Sequence, residues 1–295
     1  MAMKGKGGAW TERKLKALRE YMTAFNTALR NKPSESSPFE RVYIDAFAGT
    51  GDRELPELPL LDNDPDIANI AKGSARIALE CELGFDRFVL IDKNRRHAED
   101  LKKLAAEFGD KDVQVCRADA NEKLIKICAS WKKREWRGVL FIDPYGCQVE
   151  WSTLEAVAAT ESIDVWLLFP VNAVRRMLVN DPAKFEPEWI ERLNLLFGTD
   201  AWFEHFYPAR AASPDLFGSA GVELGREVSL EGIEDYYRSR LESIFRGGVS
   251  GRAIRLGPQS RDPLFSLFFA SGNPSPRAKN LAFRIANHLI KKWDV

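Results

Sequence analysis

Four short segments of this chain set a carboxylate directly behind an apolar run, where side chains of that type can bind or react. Asp45-Ala46-Phe47-Ala48-Gly49-Thr50-Gly51 ends such a run in a glycine turn. Glycine lets a backbone pass close to a ligand in conformations that other residues resist. The third glycine of a dinucleotide fingerprint is missing, and an acidic stretch follows where a phosphate-cradling helix would begin, which counts against a pyrophosphate-bearing cofactor such as NAD. Val89-Leu90-Ile91-Asp92 ends in an acid that can accept both ribose hydroxyls of an adenosine group. Ala118-Asp119-Ala120-Asn121 offers an acceptor for an adenine amine. Each of these acids has a plainer reading as the cap of the next helix. Their order on successive runs favours an adenosine-bearing ligand.

The fourth segment sets the chemistry. Phe141-Ile142-Asp143-Pro144-Tyr145-Gly146 places a carboxylate, a rigid turn and an aromatic ring at the end of a buried run. An exocyclic amine that attacks a methyl sulfonium needs its nitrogen lone pair freed from conjugation. The Asp143 carboxylate and the Pro144 carbonyl can accept its two N–H groups while Tyr145 stacks on the base. The plainer alternative is an Asp-Pro turn. Gly146, Arg175 and Arg176 are candidate substrate contacts beside it.

Other segments read more plainly. Residues 131–137 (WKKREWR) suit a phosphate-and-base surface, with a solvated helix end as the stronger reading. The basic residues of 4–16 read as a frayed terminus, and Cys147 as a small hydrophobe. His288 falls on an apolar stripe, His205 lies among aromatics, and His97 is expected to be exposed on a charged helix. No metal site or nucleophile triad is expected.

Positioning these groups requires a sheet. Strands are expected at 41–47, 87–91, 113–117, 139–142 and 165–169. Helices are expected at 11–30, 73–83, 94–108, 121–131, 231–245 and 277–292. Their alternation implies βαβ crossovers and a parallel sheet. Residues 52–72 are acidic and aperiodic, long enough for a lid. From Pro170 to about Leu230 no periodicity is evident. Runs at 252–256 and 264–270 fit an antiparallel hairpin at one sheet edge.

The chain has 295 residues, 45% hydrophobic and 29% charged, with 43 Lys+Arg against 43 Asp+Glu. That composition excludes collagen-like, disordered and disulfide-scaffold classes. No apolar run approaches the length of a membrane helix, and the start lacks a signal-peptide core. The four cysteines form no C-x-x-C pair, which argues against structural zinc and for a reducing, cytoplasmic setting. A net charge of zero gives no global case for nucleic-acid binding, so any such role falls to local patches.

The order of these motifs resembles that of class I S-adenosylmethionine-dependent methyltransferases, and more specifically the three-Cys-motif partner protein family. The resemblance rests on 43–51 (YIDAFAGTG), 73–79 (GSARIAL), 88–94 (FVLIDKN), 141–146 (FIDPYG), 164–170 (DVWLLFP) and 267–274 (LFFASGNP). It implies a Rossmann-like α/β fold whose seven-stranded, mostly parallel sheet carries a C-terminal antiparallel hairpin edge. The division it implies is an N-terminal helix and linker over 1–38 and a methyltransferase-like domain over 39–295. The domain would include the lid-like loop 52–72 and a substrate-recognition insertion at 171–230. S-adenosyl-L-methionine would contact Asp45, Phe47, Ala48, Gly49, Thr50, Gly51, Asp92, Lys93, Asp119 and Ala120. Asp143, Pro144 and Tyr145 would be catalytic, and the acceptor would be a nucleobase amine of DNA or RNA. DPYG lacks the second proline of the DPPY form found in DNA adenine methyltransferases. It is closer to the DPFG of a tRNA guanine-N2 group, which leaves the base open. The family's name also implies a partner, an iron–sulfur, radical-type three-Cys-motif protein, and hence the alternative of a cofactor-binding accessory without catalysis.

Overall fold

Five apolar runs become the parallel core of one sheet, because strands buried on both faces read as nearly continuous hydrophobic sequence. The computed structural model describes residues 8–31, 33, 38–49, 73–211, 222–258 and 262–294. In chain order the first half holds α1 (Gly8–Leu29), β1 (Glu40–Asp45), α2 (Ser74–Leu79), β2 (Arg87–Asp92), α3 (Arg95–Glu107), β3 (Val113–Arg117), α4 (Ala120–Ala129) and β4 (Trp136–Ile142). Then come α5 (Trp151–Ala159), β5 (Ile163–Phe169), α6 (Val171–Met177), α7 (Pro187–Phe197), α8 (Trp202–Phe206), β6 (Ala209–Ala211) and β7 (Val222–Leu224). The chain closes with α9 (Leu230–Ile244), β8 (Gly248–Val249), β9 (Ile254–Leu256), β10 (Phe265–Ser271) and α10 (Pro276–Trp293).

The main sheet runs β3-β2-β1-β4-β5-β10-β8, and β9 also pairs with β10. β1 to β5 are parallel, whereas β10 is antiparallel to β5, β8 and β9. β8 and β9 lie end to end along β10 as one interrupted edge strand, so the expected β9–β10 hairpin is present. This is a Rossmann-like α/β fold, mostly parallel, with an antiparallel C-terminal edge. β6 and β7 form a separate two-stranded ribbon.

Each sheet face carries its own helical layer. One face packs Val42, Ile44, Ile91, Leu140, Ile142 and Leu167 against residues of α4 to α9. The other packs Tyr43, Phe88, Val139, Phe141, Trp166 and Phe269 against α1, α2, α3 and α10. α1 is therefore part of the core. Its buried stripe is Trp10, Lys14, Ala17, Leu18, Tyr21, Met22 and Phe25. Trp10 stacks on Phe265 at 5.6 Å and Tyr21 meets Trp166 edge-on at 5.4 Å. Trp10 and Phe265 lie at the carboxyl end of the parallel strands and Tyr21 reaches the amino end, so α1 runs antiparallel to them.

The structure corrects several expectations. The described residues between 171 and 206 include α6, α7 and α8, where periodicity was obscure, and α5 follows β4 without a clear signal in the sequence. The described part of the 4–16 stretch belongs to α1, so it is not frayed there, and Lys14 is fully buried. His288 is exposed, because the buried stripe of α10 is Ala282, Ala286, Leu289 and Ile290. The 52–72 loop lies outside the described residues. Among the described residues no helix is long and apolar enough to cross a membrane.

Candidate active site at the strand ends

The parallel register sets the four segments side by side. Asp45 pairs with Leu90 on β2 and with Phe141 on β4, and Asp92 pairs with Arg117 on β3. The polar residues that follow β1, β2, β3 and β4 thus emerge along the carboxyl edge, where open α/β sheets bind their ligands.

Asp45 is fully buried, and burial pushes its carboxyl up to about 7 against the pull of hydrogen bonds from Ser74 and Tyr43. The Tyr43 hydroxyl donates to Asp45 Oδ2 at 3.1 Å. Oδ1 is buried and has no partner among the described residues. Beyond it the chain turns through Phe47 and Ala48, whose N–H donates to the Ile91 carbonyl at 2.9 Å, into Gly49 at a positive φ of 25°. Only glycine takes such a turn without strain. Thr50 and Gly51 lie outside the described residues.

Both carboxylate oxygens of Asp92 accept a backbone N–H. Its Oδ1 accepts the Asn94 N–H at 2.7 Å and its Oδ2 accepts the Gly49 N–H at 3.0 Å. His97 Nδ1 lies 3.2 Å from the same Oδ2. The histidine expected to be exposed is thus half-buried beside a candidate ribose acid. Asp92 therefore ties the first strand-end turn to the second. Asp119 caps α4, accepting the Asn121 N–H at 3.0 Å, and pairs with the exposed Lys93 at 3.3 Å. Ala120 is buried beneath it. Asn121 bridges to the turn and helix that follow the fourth segment, donating to the Gln148 carbonyl and accepting from the Glu150 N–H and the Thr153 hydroxyl.

Asp143 is buried, and its Oδ2 forms an ion pair with Lys14 of α1, whose side chain is 0% exposed. Lys14 Nζ also lies 5.7 Å from the centre of the Phe141 ring. Burial raises the Asp143 carboxyl above its ordinary range, and the Lys14 charge opposes that rise. Asp143 Oδ1 is a second buried acceptor without a partner among the described residues. Pro144 is buried, Tyr145 is half-buried against the α1 side of the sheet, and Gly146 turns at φ 67°. Cys147 packs behind them, its thiol pushed up to about 12 by burial, as befits an inert side chain.

Most of the other basic candidates are held in ion pairs. Arg175, on α6 beyond β5, pairs with Asp262, and Arg176 is exposed. The WKKREWR segment lies at the amino end of β4, away from the strand ends. There Trp131 covers Gly138 and donates to Ser162 Oγ at 2.6 Å, while Lys132 and Lys133 pair with Glu135 and Glu161. A concavity of about 750 Å³ between α5 and α7, lined by Trp151, Ile190 and Asn194 among others, includes none of the four segments. Among the described residues no cluster of three or more His, Cys, Asp or Glu forms a metal site.

Lys14 and His97 were missed in the sequence reading, and Asn121 was seen only as part of a motif. Lys14 sits at a stripe position of a helix otherwise read for its apolar residues. The two unpartnered carboxylate oxygens fit a ligand that brings hydrogen-bond donors, and the aminoacyl ammonium of S-adenosylmethionine is such a group.

Comparison with known proteins adds little to this geometry. No family model and no curated protein matches the chain. A Legionella pneumophila protein of family DUF519 is similar in structure, with a TM-score of 0.44 and 14% identity over 95% of this chain and 92% of its own. A proposed S-adenosylmethionine dependent methyltransferase from Listeria monocytogenes is similar with a TM-score of 0.33 and 13% identity, over 88% of this chain and 98% of its own. Neither likeness is close enough to bear on the chemistry.

Proposed function

We propose that the chain is an S-adenosylmethionine-dependent methyltransferase acting on an exocyclic amine of a nucleobase in DNA or RNA. The observation that carries this reading is the pair of buried acids Asp45 and Asp143, each leaving one oxygen without a partner beside the first and fourth segments. Asp45 and residues 47–51 would hold the cofactor's aminoacyl end. Asp92, with Lys93 next to it, would hold the ribose, and Asp119 and Ala120 the adenine. Bound there, the cofactor would supply a sulfonium methyl, whose bond to sulfur would break with its electron pair left on sulfur as the amine formed its N–C bond. The chain's own part is orientation. Asp143 Oδ1 and the Pro144 carbonyl accept the N–H groups, Tyr145 stacks on the base, and the proton shed by the methylated nitrogen passes to water. Residues 171–230, with Gly146 and Arg176, are the proposed substrate-recognition surface.

Calorimetry with S-adenosylmethionine tests the reading. The wild type binds, and Asp92→Ala loses about tenfold or more in affinity, the scale of a hydrogen bond to a charged group. Absence of binding, or equal binding by the variant, refutes it. Incubating labelled cofactor with total cellular nucleic acid and protein then identifies the acceptor.

A second reading has its own support. Arg175, Lys132 and Lys133 are ion-paired, so those residues offer no free basic groove. A cofactor-binding accessory of a radical-type three-Cys-motif protein would need none. Cofactor affinity without label on any polymer or on that partner favours this alternative.

A further inference from the structure

Within the methyltransferase reading, Asp143 does not face its substrate alone. Its partner Lys14 lies 129 positions earlier in the chain, and the ion pair is shielded from water on both sides. Such a pair is costly to desolvate, and breaking it leaves an uncompensated charge in the core. A carboxylate needed only for packing is more simply held by neutral donors, and the same helix does that to Asp164 through Tyr21. At Asp143 it delivers an ammonium to one oxygen and leaves the other bare. A charged partner on Oδ2 fixes the carboxylate's rotation and favours its anionic form against burial, because a charge-assisted hydrogen bond is both shorter and stronger than a neutral one.

We propose that Lys14 is the positioning residue of the site: it holds Asp143 by Oδ2 so that Oδ1 alone accepts the N–H of the amine to be methylated. The reasoning rests on the proposed function and narrows its substrate class. Lys14 and Asp143 together are neutral, so the pair offers no net charge to an ammonium. The pair suits an amine that arrives uncharged, as the conjugated amines of nucleobases do, rather than an alkylammonium such as a lysine side chain.

The test compares the wild type with Lys14→Met and Lys14→Arg. The latter keeps the charge in a bulkier, planar group and is the variant expected to stay folded if Lys14→Met does not. Cofactor affinity is read by calorimetry, and transfer of labelled methyl is measured on total cellular RNA, genomic DNA and polylysine. Rates are expressed per folded molecule from circular dichroism. Both variants are expected to bind cofactor within about threefold of the wild type. Transfer to nucleic acid falls by about a hundredfold in Lys14→Met, the scale of a lost site donor, and about tenfold in Lys14→Arg. The loss appears in kcat and in acceptor KM rather than in cofactor KM. A purely structural lysine would lower the melting temperature and leave the rate per folded molecule unchanged. That result, or label on polylysine from the wild type, overturns the proposal while the methyltransferase reading stands. Cofactor binding with no labelled polymer also overturns it, and no cofactor binding by the wild type removes both.

Discussion

Asp143 and Asp164 are both buried acids held by the same helix, at opposite ends of the sheet, and they differ by one hydrogen bond. Asp164 Oδ2 accepts the Tyr21 hydroxyl at 2.7 Å and its Oδ1 accepts the Ser271 hydroxyl at 2.6 Å. Asp143 has Lys14 on Oδ2 and no partner for Oδ1 among the described residues. Burial raises both acids, opposed by two neutral hydrogen bonds at Asp164 and by a cation at Asp143. A closed set of partners locks strands to a helix. An open one stores unmet hydrogen-bonding capacity, which a buried group keeps only where something else satisfies it. The contrast marks which end of the sheet is scaffold and which is site.

The comparison breaks most readily at the acids themselves. Asp143→Asn is expected to reduce methyl transfer by about 10²–10³-fold and to cost about 3–5 kcal/mol of stability by leaving Lys14 buried without its counter-charge. Asp164→Asn should cost about 1–3 kcal/mol through a mismatched partner with transfer per folded molecule unchanged. Parallel assays of label and of denaturant midpoint separate the two, and equal losses of transfer would erase the distinction between the ends.

Asp45 sharpens the same point through pH. Its carboxyl, near 7 when folded against 3.8 ordinarily, holds a proton across that window which the unfolded chain has released. Stability therefore falls as pH rises between those values and levels off above them, by roughly 4 kcal/mol in all. Asp45→Asn should flatten that slope and melt higher than the wild type at about pH 8, while weakening cofactor binding. Melting curves across the window check the sign, and a variant whose stability still falls with pH as steeply as the wild type's would refute it. The smallest effect belongs to Tyr21→Phe, about 1 kcal/mol, with cofactor affinity untouched. A measurable loss of affinity there would mean that the two ends of α1 are coupled.

Particular residues show what was legible in the sequence. Strand 113–117 matches β3 residue for residue, since a short β-branched run between polar turns has few alternatives. The carboxylates at the strand ends were found because strand and turn chemistry announce themselves locally. α7 was missed because no periodicity was evident between Pro170 and about Leu230; its Pro187 occupies the first turn, where proline is tolerated. On α10 the leucine and isoleucine spacing pointed to His288, yet the helix buries alanines. Lys14 lay in plain view, i+4 from Trp10 and i−4 from Leu18. Charge at a stripe position looks like a snorkelling surface lysine until a distant carboxylate is known, and single-sequence periodicity carries no information about partners across the fold. His97 and Asn121 were hidden for the same reason.

The separation of Lys14 from Asp143 by 129 positions also constrains the order in which the chain assembles. α1 leaves the ribosome long before β4 exists, and docking its stripe early would bury Lys14 without the Asp143 carboxylate, at a cost of several kcal/mol. The helix must therefore wait, or dock loosely, until the Asp143 turn is in place. Its final seating reports that β1 and β4 have paired in the right register. A misregistered sheet would not bring Asp143 to Lys14, and the lysine would resist the seating of the helix. The pair that orients the site in the finished molecule thus acts, during folding, as a proofreading contact.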